Sequence, residues 1–112
     1  MIDIDVCKFM EQIPSIIDPE LTKDVDARIL FVLSGDQGGE WGLIINHQTS
    51  SITQGRIDNP NLTLKSDAIL AVQVLSGEVD GMRAFMMGKL KLLGDLSLAI
   101  KLINLSKNSS GN

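Results

Sequence analysis

Polar and apolar positions in the last third of the chain change period partway along. Lys89-Leu90-Lys91-Leu92 alternates, the two-residue period of a half-buried strand. Gly94 interrupts the run, Asp95 is a good helix cap, and the polar positions that follow, Ser97, Lys101 and Asn104, are four and three residues apart. They form one narrow stripe on a helix predicted over 95–107, and every other position of 96–105 is apolar. Such a helix needs apolar material around most of its circumference. Upstream, Val6, Phe9, Met10, Ile13 and Ile17 recur at helical steps and predict an amphipathic N-terminal helix, which Pro14 should break or restart and Pro19 should end. The β-rich run 28–34, the turn-forming residues 35–39 and the apolar run 41–46 read as a hairpin. Short strands are predicted at 51–54 and 62–65, on either side of a turn at 58–61. Ser66-Asp67 offers a cap for a helix over 68–75 that stops at Gly77, a second short helix covers 81–87, the fifth strand is 89–93, and 108–112 is a frayed tail. The fold class is α+β, a five-stranded, mainly antiparallel sheet with helices covering one face.

Composition narrows the function classes. The 112 residues suffice for one domain, 1–112, with 44 % hydrophobic and 21 % charged residues, ordinary values for a globular chain. No apolar run approaches the roughly 18 residues of a membrane span, and the acidic start lacks the basic segment of a secretory signal. The single cysteine, Cys7, cannot form an internal disulfide, so a reducing, cytoplasmic setting is expected. The C-terminal Ser-Ser-Gly-Asn is not a peroxisomal address. The net charge of −4 conceals an asymmetry: 1–81 holds five Lys/Arg against thirteen Asp/Glu, whereas 82–112 holds five against Asp95 alone. Two readings of the basic end stay open, a solvated surface and a surface that touches anionic membrane transiently; each cation there is worth on the order of 1 kcal/mol. Nucleic acid is excluded as a partner by the acidic balance and the scarcity of stacking aromatics.

Catalytic chemistry finds no grouping. His47 is the one histidine and follows a strand end, where a hydrogen-bonded turn residue is expected; with one Cys and one His, no soft-metal site can be assembled. Ser34, Ser50 and Ser51 lie outside any Gly-x-Ser-x-Gly elbow. Cys7 is expected on the buried side of the first helix, as a packing residue. The acidic pairs Asp3/Asp5, Asp18/Glu20, Asp24/Asp26 and Asp36/Glu40 fall mostly in loops and match no calcium loop. Residues 35–39 are glycine-rich but join two strands, so they lack the helix N-terminus that cradles phosphate. No catalytic residue, metal or cofactor is expected, and the protein is read as a container rather than an enzyme.

Phe85, Gly88, Lys89, Leu90, Lys91, Leu92, Gly94, Asp95, Leu96, Ala99, Ile100, Lys101, Leu102 and Leu105 together resemble, without a gap, the C-terminal signature of the sterol carrier protein type 2 family. Weaker likeness runs through Phe9, Ile13-Pro14, Ile17, Pro19, Gly38-Gly39-Glu40-Trp41 and 59–64, so it spans a core of about 9–106. The resemblance implies the same α+β fold, with the helices roofing an apolar cavity. It also implies a non-catalytic carrier for a fatty acid, acyl-CoA or sterol-like lipid. By matched position the ligand-binding candidates are Phe85, Met86, Leu90, Leu92, Leu96, Ala99, Ile100 and Leu102. Strand alternation adds Trp41, Leu43 and Ile45, with Ile29, Phe31 and Leu33 on the neighbouring strand. Met82, Met86 and Met87 supply flexible apolar bulk, and Lys89, Lys91 or Lys101 are candidates for a headgroup. The chain departs from the family pattern at Ala71, where an aromatic is common, and at Gly81, in place of proline; the first should widen the pocket and the second loosen its entrance. The alternative is a structural or dimerisation module with a filled core, acting with a partner enzyme; sequence leaves the oligomeric state open.

Overall fold

The computed structural model describes residues 4–109, with side-chain surroundings through residue 103. α1 (Val6–Ile16) opens the chain and buries Val6, Met10 and Ile13. Its first turn is tied down by two residues. The Asp5 carboxylate accepts from the Lys8 N–H at 3.0 Å, and Gln37, from the following hairpin, accepts from the Val6 N–H at 2.8 Å while donating to the Ile4 carbonyl at 2.6 Å. Both proline expectations need correction. The helix runs through Pro14, because only two helical residues follow it and the Ile17 N–H already closes the end on the Ile13 carbonyl at 3.2 Å. Pro19, rather than ending a helical region, starts a short 3-10 helix (Pro19–Thr22) capped by Asp18, a first-turn position where its missing N–H is not needed.

The five strands are β1 (Asp26–Ser34), β2 (Gly39–Asn46), β3 (Thr49–Gln54), β4 (Leu62–Asp67) and β5 (Leu90–Gly94), in the order β3-β2-β1-β4-β5. Three pairings are antiparallel and β1–β4 is parallel, so the sheet is mainly antiparallel as the pattern predicts. The hairpin at 35–39 forms as expected, with Gly35 and Gln37 at positive φ. α2 (Ala68–Leu75) follows β4 directly; the Asp67 carboxylate caps it by accepting from the Ile69 and Leu70 N–H groups at 3.0 and 3.2 Å. α3 (Gly81–Met86) is capped by Asp80, and α4 (Leu96–Ser109) begins with the Leu98 N–H on the Asp95 carboxylate at 3.1 Å. α4 extends into the expected tail through residue 109; residues 110–112 lie outside the described residues.

The parallel pair requires a crossover from edge strand β3 past β2 and β1 to β4, and residues 55–61 provide it on the face away from the helices. Arg28 Nε donates to the Asp58 carbonyl at 3.0 Å, and the Asn61 side-chain oxygen accepts from the Arg28 N–H at 2.7 Å. The Arg56–Glu40 ion pair at 2.7 Å ties the segment to β2, though an exposed pair adds little stability. The larger contribution is apolar. Ile57 packs directly on Gly42, so closely that a β-carbon there would collide with its Cγ2. In the same row of the sheet Leu30 is only 4 % exposed. The helix-side face carries the main core, whose rows cross the strands. One is Trp41, Phe31, Leu64 and Leu92, another Leu43, Ile29 and Leu62.

Gly42→Ala is therefore expected to cost about 1–3 kcal/mol through overpacking. Ile57→Ala in the same chain should recover part of that loss, giving non-additive changes in urea denaturation. Strict additivity would mean that the two residues do not press on each other.

Candidate functional site

The sequence candidates divide by environment. Phe31, Trp41, Leu43, Ile45, Leu90, Ala99 and Leu102 are buried within the core, each at most 5 % exposed. Phe85 and Leu92 are half-buried against it. Met86, Leu96 and Ile100 stand out of it, at 80, 50 and 47 % exposure.

Helical phase places the exposed groups of each helix beside its buried positions. On α4 the buried positions are Leu98, Ala99, Leu102 and Ile103. Leu96 and Ile100 lie next to Ile103 around the helix, and Ile103 faces α3: a β-carbon on Gly81 would stand 2.9 Å from Val74 Cγ1 and 3.1 Å from Ile103 Cγ1. On α3, Gly81 and Ala84 are buried, Phe85 is half-buried, and Met82 and Met86, one turn apart, extend that side into solvent. β5 packs beneath both helices and presents Leu92 to them. The neighbouring elements α3, β5 and α4 thus carry Met82, Met86, Leu96 and Ile100 exposed and Phe85 and Leu92 half-buried, an apolar edge called the seam below.

Gly81 does not loosen this region. It is buried and brings α3 close to α2 and α4, so its missing side chain tightens the corner. Ala71 is likewise enclosed, at 1 % exposure. The candidate headgroup lysines lie away from the seam. Strand alternation turns Lys89 and Lys91 to the face opposite Leu90 and Leu92. Lys101 borders a cleft of about 200 Å³ with Asp24, Asp26 and Asp95, on the other flank of α4. Two further clefts lie on the face away from the helices. One, of about 350 Å³, runs along Leu30, Arg56, Ile57, Pro60, Thr63 and Leu93, and the other, of about 330 Å³, holds Lys65, Lys89 and Lys91.

The reactive side chains are dispersed. His47, at φ +58°, sits in the β2–β3 turn with Nδ1 2.9 Å from the Lys23 carbonyl, the turn role its position suggests. Cys7 is exposed, contrary to the buried placement expected from the α1 stripe: Val6, Met10 and Ile13 face inward, and Cys7 falls beyond that arc. No three His, Cys, Asp or Glu side chains are grouped to hold a metal ion among the described residues. No described helix is long and apolar enough to cross a membrane.

The profile of the SCP-2 sterol transfer family matches residues 8–107. The chain belongs to that family. Its curated relatives include the hydroxysteroid dehydrogenase-like protein 2 of Xenopus tropicalis, 31 % identical over 91 residues, and that of Homo sapiens, 33 % identical over 87 residues. These matches cover 80 % and 77 % of this chain but only 22 % and 21 % of those proteins, so the domain spans about a fifth of their length. Among solved structures, sterol carrier protein domain 2 of Helicoverpa armigera superposes with a TM-score of 0.68 at 27 % identity, covering 94 % of this chain and 85 % of that one. The SCP2-like 2 protein of Aedes aegypti gives 0.70 at 18 % identity, covering 89 % and 92 % of the two chains. The sec-alkylsulfatase Pisa1 of Pseudomonas gives 0.79 at 17 % identity; the match covers 91 % of this chain and 16 % of the sulfatase. These likenesses establish the SCP2 fold, alone and as a segment of larger chains.

The Cys7 thiol has its pKa raised by desolvation first, then by the neighbouring Glu11 and Asp5 carboxylates. The reactive species is the thiolate, so native protein should react with a disulfide reagent stoichiometrically but slowly at neutral pH. Glu11→Gln should speed it; an unreactive thiol in the folded protein would contradict the exposed placement.

Proposed function

We propose that this SCP-2 domain is a non-catalytic lipid carrier that takes the hydrocarbon part of a fatty acid, acyl-CoA or sterol-like lipid at the seam between α3, β5 and α4. The supporting observation is the set of large apolar groups left uncovered there, Met82, Met86, Leu96 and Ile100, beside the half-buried Phe85 and Leu92. The ligand enters between the two helices and extends toward Leu90, Ala99 and Leu102. Phe31, Trp41, Leu43 and Ile45 form the more distant floor on the sheet. Burial of about ten methylenes at roughly 0.8 kcal/mol each corresponds to micromolar binding without a charged contact. Methionine and leucine adapt to irregular hydrocarbon, so selectivity among chain shapes is modest.

A second reading has its own support. The relatives that carry this domain as about a fifth of their length are named for a dehydrogenase-like activity, so the domain could serve a partner enzyme by association, with a filled core. The two readings part in native mass spectrometry after incubation with a mixed lipid extract. A one-to-one lipid adduct supports the carrier, and a clean, unliganded species across the extract supports the association module.

Leu96→Arg and Ile100→Glu are expected to abolish the adduct while leaving thermal unfolding close to the parent, because both side chains are about half exposed. Undiminished uptake in both folded variants would remove α4 from the site.

A further inference from the structure

The two clefts on the face away from the helices share Val32 and Lys65, so they run together as one groove. Its ends differ in chemistry. Ile57, Pro60 and Leu93 make one end apolar, and Leu93 is 53 % exposed. The other end is cationic: Lys65 of β4 and Lys91 of β5 are direct cross-strand partners, and Lys89 joins them. Like charges so placed disfavour the pairing, and no carboxylate lies within ion-pair distance of the three lysines among the described residues. Asp67, on the same wall, is engaged by the first turn of α2, and Arg56, at the apolar end, is already paired with Glu40. The opposite chemistry lies just before β1, on the 3-10 helix and its flanks. Asp18, Glu20, Asp24 and Asp26 are exposed there against one cation, Lys23, and Leu21 and Ile16 stand out beside them at 43 and 41 % exposure. This acidic knob is firmly seated. The buried Thr22 donates its hydroxyl to the His47 carbonyl at 2.8 Å, and its own carbonyl accepts from the Val25 N–H at 2.8 Å.

We propose that the groove receives the acidic knob of a second copy of this chain, with Leu21 at the Ile57–Leu93 end and the Glu20 and Asp24 carboxylates meeting Lys65 and Lys91. Charge complementarity selects this occupant: a groove that is apolar at one end and cationic at the other matches a protruding leucine flanked by carboxylates. Knob and groove are different patches of the same molecule, so the contact is head-to-tail. Each added copy leaves one groove and one knob open, and copies extend a chain instead of closing as a two-fold pair. Charges at the rim of a contact act mainly on association rate and salt sensitivity, so the assembly is reversible and forms at high protein concentration. The groove lies on the sheet face opposite the seam. Self-association therefore needs no lipid cargo and leaves the seam open.

The test is sedimentation velocity of the whole protein over a concentration series at low and high salt. The weight-average sedimentation coefficient of the parent is expected to rise with concentration at low salt. It should stay at the monomer value in roughly 1 M salt, where the screening length is about 3 Å. K65E/K91E and E20K/D24K, each folded by circular dichroism, are expected to weaken association by about tenfold or more. Mixed one to one they should associate again, because each groove then meets a knob of opposite charge. Lys8→Glu, which alters charge on the exposed side of α1, should stay within about twofold of the parent. A parent that remains monomeric throughout would overturn the proposal, as would undiminished association in both folded double variants or a loss in Lys8→Glu equal to theirs. A mixture no more associated than its components, or growth that stops at a closed dimer, would overturn it too. Lipid-adduct formation by K65E/K91E is expected to match the parent. An adduct without self-association therefore overturns this proposal alone, and self-association without an adduct overturns the carrier reading alone.

Discussion

The arrangement rests on β1 being enclosed from both sides. It is the central strand, with Ala27, Ile29, Phe31 and Leu33 directed to the helices and Leu30 to the opposite face. Its parallel pairing with β4 obliges the chain to cross the sheet between β3 and β4, and the glycine at position 42 lets Ile57 lie flat over that crossing. With the crossover on one face, the helical layer is confined to the other. α1 packs over β3 and α2, and α4 over α2, β4 and β5. One tight contact between a glycine and an isoleucine thus permits the two-layer division of the molecule.

That division leaves the β5 end thinly covered. α3 has six residues and buries only Gly81 and Ala84. α4 spends its inward positions on α2 and the sheet, so Leu96 and Ile100 on its α3 flank have no protein layer over them among the described residues. Fully covering a side chain of this size is worth about 1.5–3 kcal/mol, and Leu96, Ile100, Met82 and Met86 would each gain part of that if an apolar surface covered them. Close packing around Gly81 acts in the same direction: the corner is rigid where α2, α3 and α4 meet, and its uncovered part lies at the outer edge.

Much of this was readable in the chain because it is local. The alternation at Lys89–Leu92, the Asp67 and Asp95 caps and the Gly77 stop depend on neighbours within a few residues, and all appear where the pattern puts them. The errors also have local causes. Pro14 forgoes one backbone bond in the last turn of α1 without stopping the helix, and Pro19 suits a first turn. Cys7 sits one step past the buried arc, a distinction that a short stripe cannot resolve. The parallel register of β1 with β4, the position of Ile57 over Gly42 and the close approach at Gly81 depend on residues distant in sequence, for which periodicity has no signal. Within the candidate site, signature matching collected residues of α3, β5 and α4. It could not separate Leu96, Ile100 and Met86 at the surface from Leu90, Ala99 and Leu102 beneath it, because all are apolar and burial is decided by neighbouring helices.

The two faces of β5 show how one short strand keeps two chemistries apart. Leu90 and Leu92 point to the helices, whereas Lys89 and Lys91 point away, and a slip of one residue would exchange them. The register is held at both ends. At the start, the Gly88 and Lys89 N–H groups bond to the Phe85 and Ala84 carbonyls, both at 3.0 Å. At the end, Gly94 at φ +112° lies against the Asn61 carbonyl so closely that a β-carbon would strike it, and the Asp95 N–H bonds that same carbonyl at 2.9 Å. Asn61 in turn accepts from β1 through its side chain. The crossover that closes the far face therefore also fixes β5, and with it the separation of the apolar seam from the lysine cleft.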